Sequence, residues 1–174
     1  ATGLYNSACE TFPLTISKFG LELVGTNSAA TWITPAGSGK RGLGIRGIGF
    51  VRIQGVTVGG ANTAWEPGAG AYIANSRLTM ADCTVSNNSG WPINGGGIWM
   101  RDTFLTMTNT LLAGNTASSD WGSYGGGLYA EGGQLRLLDS LVANNAASPG
   151  SGGTAGGAGI YLNGNYGSTG HLID

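Results

Sequence analysis

Gly95-Gly96-Gly97-Ile98-Trp99-Met100 decides the architecture, because it recurs. Gly68-Ala69-Gly70-Ala71-Tyr72-Ile73, Gly125-Gly126-Gly127-Leu128-Tyr129-Ala130 and Gly157-Ala158-Gly159-Ile160-Tyr161-Leu162 align with it at Gly70, Gly97, Gly127 and Gly159, at spacings of 27, 30 and 32 residues. Two further series keep the same period. Val51, Leu78, Leu105 and Leu135 are separated by 27, 27 and 30 residues, and Asn88, Asn115 and Asn145 by 27 and 30. A period of this length is the signature of stacked repeats, in which each unit buries its apolar face only against its neighbours. The extra residues fall between the Asn and the next Gly-rich segment, in stretches such as Thr116 to Ser123, so that stretch reads as a loop and the rest as a fixed rung.

Within a rung the pattern is one of short strands. Leu78-Thr79-Met80, Leu105-Thr106-Met107 and Leu135-Arg136-Leu137 alternate apolar and polar residues, which at period two sends one face inward. A turn position follows, held by Gly55, Asp82, Asn109 and Asp139, residue types that tolerate left-handed backbone. Val58, Val85, Leu112 and Val142 then form another inward stack, beside a smaller one of Val56, Cys83, Thr110 and Ser140. Three strands per coil emerge, and stacking the copies gives a parallel β-helix of five or six coils. One domain spans residues 1–174: N-terminal coils over 1–43, Gly-rich repeats over 44–163 and an unfinished terminal coil over 164–174. A helix over Ile98 to Ala113 conflicts with the strand alternation and the many threonines, and the leucines lack the spacing of a leucine-rich horseshoe.

Composition agrees. Glycine supplies 34 of 174 residues and only 10% are charged, against about 25% in an average soluble domain. Glycine costs about 1 kcal/mol per helix position, which argues against a helical bundle. Five Trp, six Tyr and four Phe argue against disorder. With eight basic and nine acidic residues there is no electrostatic footprint for nucleic acid or an anionic lipid surface. No run of about 18 apolar residues is present to span a membrane as a helix.

Segments such as Ala143-Asn144-Asn145-Ala146-Ala147, followed by Gly-Gly-x-Gly-Ile/Leu-Tyr/Trp, resemble the glycine-rich repeats of bacterial right-handed β-helix surface proteins of the polymorphic outer-membrane type. The resemblance covers residues 44–163. The stretches Gly3-Leu4-Tyr5, Glu10 to Ile16 and Leu23-Val24-Gly25 are similar to a domain of unknown function that opens many secreted bacterial β-helices. The resemblance implies a right-handed β-helix and an extracellular or cell-surface location. It is nearly silent on function, because the same fold carries lyases, tailspikes, adhesins and filaments.

Chemistry is thinly supplied. Asp82 and Asp139 are the only carboxylates at equivalent positions, two rungs or roughly 9 to 10 Å apart, which touches the upper edge of inverting-glycosidase geometry. Asn109 lies between them, however, and a turn ladder of Asp and Asn explains all three positions. The single histidine, His171, has no His or Cys partner at metal-ligand spacing. The Gly-x-Gly strings precede strands rather than a helix, so no phosphate cradle is expected. Neither a cofactor nor a metal is expected, nor a threonine array regular enough to bind ice: the candidate columns read Arg52, Thr79, Thr106, Arg136 and Thr57, Thr84, Leu111, Leu141.

What remains is aromatic. At period two Tyr72, Trp99, Tyr129 and Tyr161 point outward and stack along one face, and Trp65, Trp91 and Trp121 precede the aligned glycines by five or six residues. These seven residues are expected to form a platform for a sugar or another subunit, unless the loop tryptophans fold back over the tyrosine row as a side core. Cys9 and Cys83 allow one disulfide at most; Cys83 belongs to an inward stack, and Cys9, in a segment of uncertain path, could bridge to a neighbouring molecule. The functional expectation is a non-catalytic structural or adhesive protein that self-associates, laterally or head to tail through unfinished coils. The alternative is a carbohydrate-active β-helix that binds or cleaves a glycan.

Overall fold

The computed structural model describes residues 3–164 and 169–173. They form an all-β parallel β-helix, and each strand pairs in parallel with its equivalent one coil away.

Three faces enclose the main core. The first holds the Gly-segment strands: Leu14–Ile16, Leu43–Arg46, Ala71–Ala74, the start of Ile98–Thr108, the start of Leu128–Leu138, and Ile160–Asn163. The second holds Leu21–Val24, Val51–Gln54, Arg77–Ala81, the later halves of the same two long strands, and Thr169–Ile173. That register sets His171, whose side chain lies outside the described residues, beside Arg136 in the backbone ladder. The third face stacks six strands from Gly3–Asn6 to Leu141–Ala143.

Corners follow from backbone chirality. A left-handed residue turns the strand direction sharply, and only Gly, Asn and Asp adopt that conformation at low cost. Gly55, Asp82, Asn109 and Asp139 all have positive φ, as the spacing predicts. Two further corners repeat the device with Gly47, Asn75, Asp102 and Gly132, and with Gly60, Asn87, Gly114 and Asn144. The inward stacks of Val51, Leu78, Leu105 and Leu135 and of Val58, Val85 and Leu112 are buried in one continuous cluster.

The structure adds a fourth strand per coil. The stretch expected to be a loop contains Thr116–Ser119 and Gly122–Tyr124. Asn62–Ala64, Ser89–Trp91, Thr116–Ser119 and Ala146–Pro149 stack into a sheet of their own. Behind it Ala61, Ala69, Ile93 and Ala117 form a second, separate buried cluster. The cross-section therefore has a large triangular lobe and a small one, the small one filled by three alanines and Ile93.

An asparagine ladder divides the two lobes. Asn88 and Asn115 are completely buried. Asn88 Nδ2 donates to Asn115 Oδ1 at 3.0 Å, and Asn115 Nδ2 to Asn145 Oδ1 at 2.9 Å. Each oxygen also accepts a backbone N–H from the coil before, Asn88 N at 3.1 Å and Asn115 N at 2.9 Å. The second amide hydrogens go to the carbonyls of Val58, Val85 and Leu112. Opposite the ladder lies the aligned glycine column. A Cβ on Gly97 would sit 2.6 Å from Gly127 O and 2.9 Å from Asn115 Cγ. The two sequence registers are thus the two sides of one contact.

Removing the Asn115 amide strands buried partners on both neighbouring coils, so Asn115→Ala is expected to destabilise by about 3 kcal/mol. Gly97→Ala should cost a similar amount through the clash, whereas Gly44→Ala, whose new Cβ would meet nothing nearer than 3.8 Å, should change stability by less than about 1 kcal/mol. Urea denaturation of the three variants checks the order.

Candidate functional site

The outward aromatic column exists but is not an open platform. Strand register aligns Gly44, Tyr72, Trp99, Tyr129 and Tyr161. Tyr72 and Trp99 stack with centroids 4.6 Å apart, and Tyr129 and Tyr161 at 5.5 Å. Yet Trp99 is only 7% exposed and Tyr129 5%, while Tyr72 and Tyr161 are half-buried. The chain returning from the small lobe lies over the column: a Cβ on Gly68 would touch Trp99 Cβ at 3.0 Å, and Tyr124 packs on Tyr161 at 4.8 Å. Asn163 Nδ2 donates to the Tyr129 hydroxyl at 2.9 Å, and burial pushes that phenol's pKa up.

At its other end the column is capped by cations. Gly44 leaves a gap below Tyr72, and the guanidiniums of Arg46 and Arg41 fill it, 4.3 and 4.7 Å from the ring centroid. Such cation–π contacts are worth more when desolvated. Arg41 Nε also pairs with Glu66 Oε2 at 3.3 Å, and Lys40 Nζ with Oε1 at 3.4 Å. Burial pulls the Arg41 guanidinium below its ordinary pKa against the opposing pull of Glu66. Burial alone would raise the Glu66 carboxyl, but the charges and hydrogen bonds of Arg41 and Lys40 outweigh it and hold the pKa low. This cluster ties the small lobe to the first face.

The tryptophans behave differently. They do not fold back over the tyrosines: Trp65 is 68% exposed, Trp91 45% and Trp121 77%. Trp65 and Trp91 meet edge to face, with centroids 5.8 Å apart, and Trp65 N donates to Trp91 O at 3.3 Å. Trp65 also has φ of 63°, a conformation a bulky residue rarely adopts without a constraint. All three occupy the rim of the small lobe on successive coils. Beside them runs an open groove of about 480 Å³ with Trp91 as one wall and Asn62, Thr63, Ser89 and Ser118 along it. Trp32, not singled out in the sequence reading, is 40% exposed on the third face; its strand position there was legible only once Thr31–Thr34 was known to pair with the repeat.

Of the carboxylate pair, which lines one open cavity, only Asp82 is held by side-chain hydrogen bonds among the described residues. Asp82 Oδ1 accepts from Asn109 Nδ2 at 2.8 Å and Oδ2 from Gln54 Nε2 at 3.1 Å, and both Asp82 and Asp139 sit at left-handed corners. Among the described residues no group of three His, Cys, Asp or Glu is placed to hold a metal ion. Among the same residues no helix is long and apolar enough to cross a membrane.

Both cysteines are free thiols, so the disulfide considered for Cys9 and Cys83 is not formed within the chain. Cys83 is buried, and its Sγ donates to Ala81 O at 3.1 Å. Thr110 and Ser140 donate in the same way to Thr108 O and Leu138 O.

No protein-family model, curated protein or solved structure matches the chain. Its side chains and their geometry carry the functional argument.

Burial pushes the Cys83 thiol pKa above its ordinary value of 9.0. The folded state then holds this proton more tightly than the unfolded one. Stability from Cys83 is complete below pH 9 and is lost as pH rises above it. Denaturant midpoints across that range should fall for the wild type and less for Cys83→Ala. In native protein a thiol reagent should label Cys9 and leave Cys83 untouched.

Proposed function

We propose that this chain is a non-catalytic structural or adhesive β-helix of the cell exterior, which makes contact through the tryptophan rim of its small lobe. The exposure of Trp65, Trp91 and Trp121 on successive coils carries this reading. Large aromatics clustered at a surface are enriched at interfaces and dominate their energetics, and here a rigid stack of coils fixes their spacing. The scarcity of carboxylates and the hydrogen bonds of Asp82 to Asn109 and Gln54 support the non-catalytic part of the reading. The likeness of the Gly-rich repeats to bacterial surface β-helices supports the location.

Self-association is the first partner choice. Copies can meet side by side through the rim or end to end through the backbone edges of the outermost coils, and heterologous end-to-end contacts that do not close give filaments. The polar groove along Trp91 favours a second reading, in which a glycan lies against the rim, since aromatic walls with scattered hydroxyl and amide groups suit a sugar.

Trp65→Ala combined with Trp121→Ala should leave the thermal midpoint nearly unchanged, because both rings are exposed, yet abolish association in sedimentation velocity. Electron microscopy of the wild type separates the geometries: lateral pairs or sheets that vanish in the double variant support the rim, and filaments that survive it support the coil ends. A wild type that stays monomeric at every concentration and binds no glycan would contradict the proposal.

A further inference from the structure

The second face carries a groove that the tryptophan rim does not share. Its outward residues form two adjacent columns: Arg52, Thr79, Thr106 and Arg136, and, two positions earlier along each strand, Phe50, Arg77, Phe104 and Gln134. All of them except Arg52 line a cavity of about 340 Å³. Among the described residues its lining has no carboxylate.

Charge is what sets this groove apart. Lys40 and Arg41 both pair with Glu66, Arg101 lies 3.7 Å from Asp102, and Arg52 is held by Gln54 at 2.7 Å and lies 3.9 Å from Glu22. Arg77 and Arg136 are exposed, and neither has a carboxylate within ion-pair distance among the described residues. In a chain with a net charge of −1, two guanidiniums that no carboxylate among the described residues reaches flank one cavity, whereas Arg46, also without such a partner, lies over the Tyr72 ring.

Their spacing is fixed by the sheet. Arg77 pairs with Phe104, Phe104 with Gln134, and Arg136 follows two residues on. Two inter-strand steps and two residues along the strand put the Cα atoms about 12 Å apart. Between them lie the half-exposed Phe104 ring and the hydroxyl of Thr106. Arg77 stacks on Phe104 with its Cζ 5.3 Å from the centroid, which steadies the guanidinium while leaving its edge free to bind a carboxylate through two parallel hydrogen bonds.

We propose that this groove binds an acidic glycan. The two arginines take anionic groups on successive parts of the ligand, Phe104 packs against a sugar face, and Thr79, Thr106 and Gln134 meet hydroxyls. Charge complementarity selects an anion, and the aromatic floor with alcohol and amide groups selects a sugar over an acidic peptide. The anion can be a carboxylate or a sulfate; both offer oxygens to the guanidinium fork.

Isothermal titration calorimetry with the full chain tests it, using four probes: an oligogalacturonate, its fully methyl-esterified and uncharged counterpart, a sulfated heparin-derived oligosaccharide, and oligoglutamate. Binding of at least one acidic oligosaccharide, weakened by salt, with no heat from the esterified probe, is expected. The oligogalacturonate and the sulfated probe distinguish the two anion sources. Arg77→Gln and Arg136→Gln should each weaken binding about tenfold and together abolish it, and Phe104→Ala should weaken it with the salt dependence retained. Trp32→Ala, on the third face, should change nothing, and circular dichroism melts should confirm that the arginine variants fold like the wild type. Silence from both acidic sugars, equal binding of the esterified probe, equal binding of oligoglutamate, or full binding by the double arginine variant would overturn the proposal.

Discussion

The ladder of Asn88, Asn115 and Asn145 is the contact on which the rest of the structure depends. A coil of three strands has to close on itself, and here it closes where the Asn corner meets the aligned glycine of the first face. Each buried amide uses its oxygen for the coil before it and a hydrogen for the coil after it, so the same bonds that close a coil also hold its neighbours in register. A buried polar group is costly unless it is fully paired, and the ladder's interior members are. A hydrophobic residue at Asn115 could fill space but could not satisfy Val85 O or Asn88 N. The ladder also frees the segment after each Asn from the main core, and that segment builds the small lobe that carries the tryptophans.

Much of this was legible in the sequence because it depends on strict spacing. The Gly70 and Asn88 series, the Leu78 stack and the left-handed corner at Asp82 each recur at one period, and recurrence makes a residue's role visible even when its type is ambiguous. The small lobe was hidden for the opposite reason. Thr116 to Tyr124 has no apolar alternation, since a core as narrow as Ala61, Ala69, Ile93 and Ala117 is filled by residues that also populate loops. The direction of the tyrosine column was legible from period-two alternation. Its burial was not, because the cover is a glycine-rich backbone with no hydrophobic signature of its own.

The second face shows how a test for one feature conceals another. Read for regularity, Arg52, Thr79, Thr106 and Arg136 are a broken threonine array. Set beside Phe50, Arg77, Phe104 and Gln134, the irregularities become a lined and charged groove. The solenoid thus separates its surfaces: an aromatic rim on the small lobe, a cationic groove on the second face, and between them an aromatic column consumed by packing. With so few charges in the chain, each uncompensated one weighs more in deciding what the surface can recognise.

Hydrogen exchange by nuclear magnetic resonance tests the central claim most directly, because it reads the ladder bond by bond. If the ladder closes and registers the coils, the Nδ2 hydrogens and backbone N–H groups of Asn88 and Asn115 exchange only through global unfolding and are among the slowest in the molecule. Backbone N–H groups of the small-lobe strand Gly122–Tyr124 exchange faster, through local opening. Ladder hydrogens that exchange as fast as those of the small lobe would contradict the account, and the coils would then be held together by their apolar stacks alone.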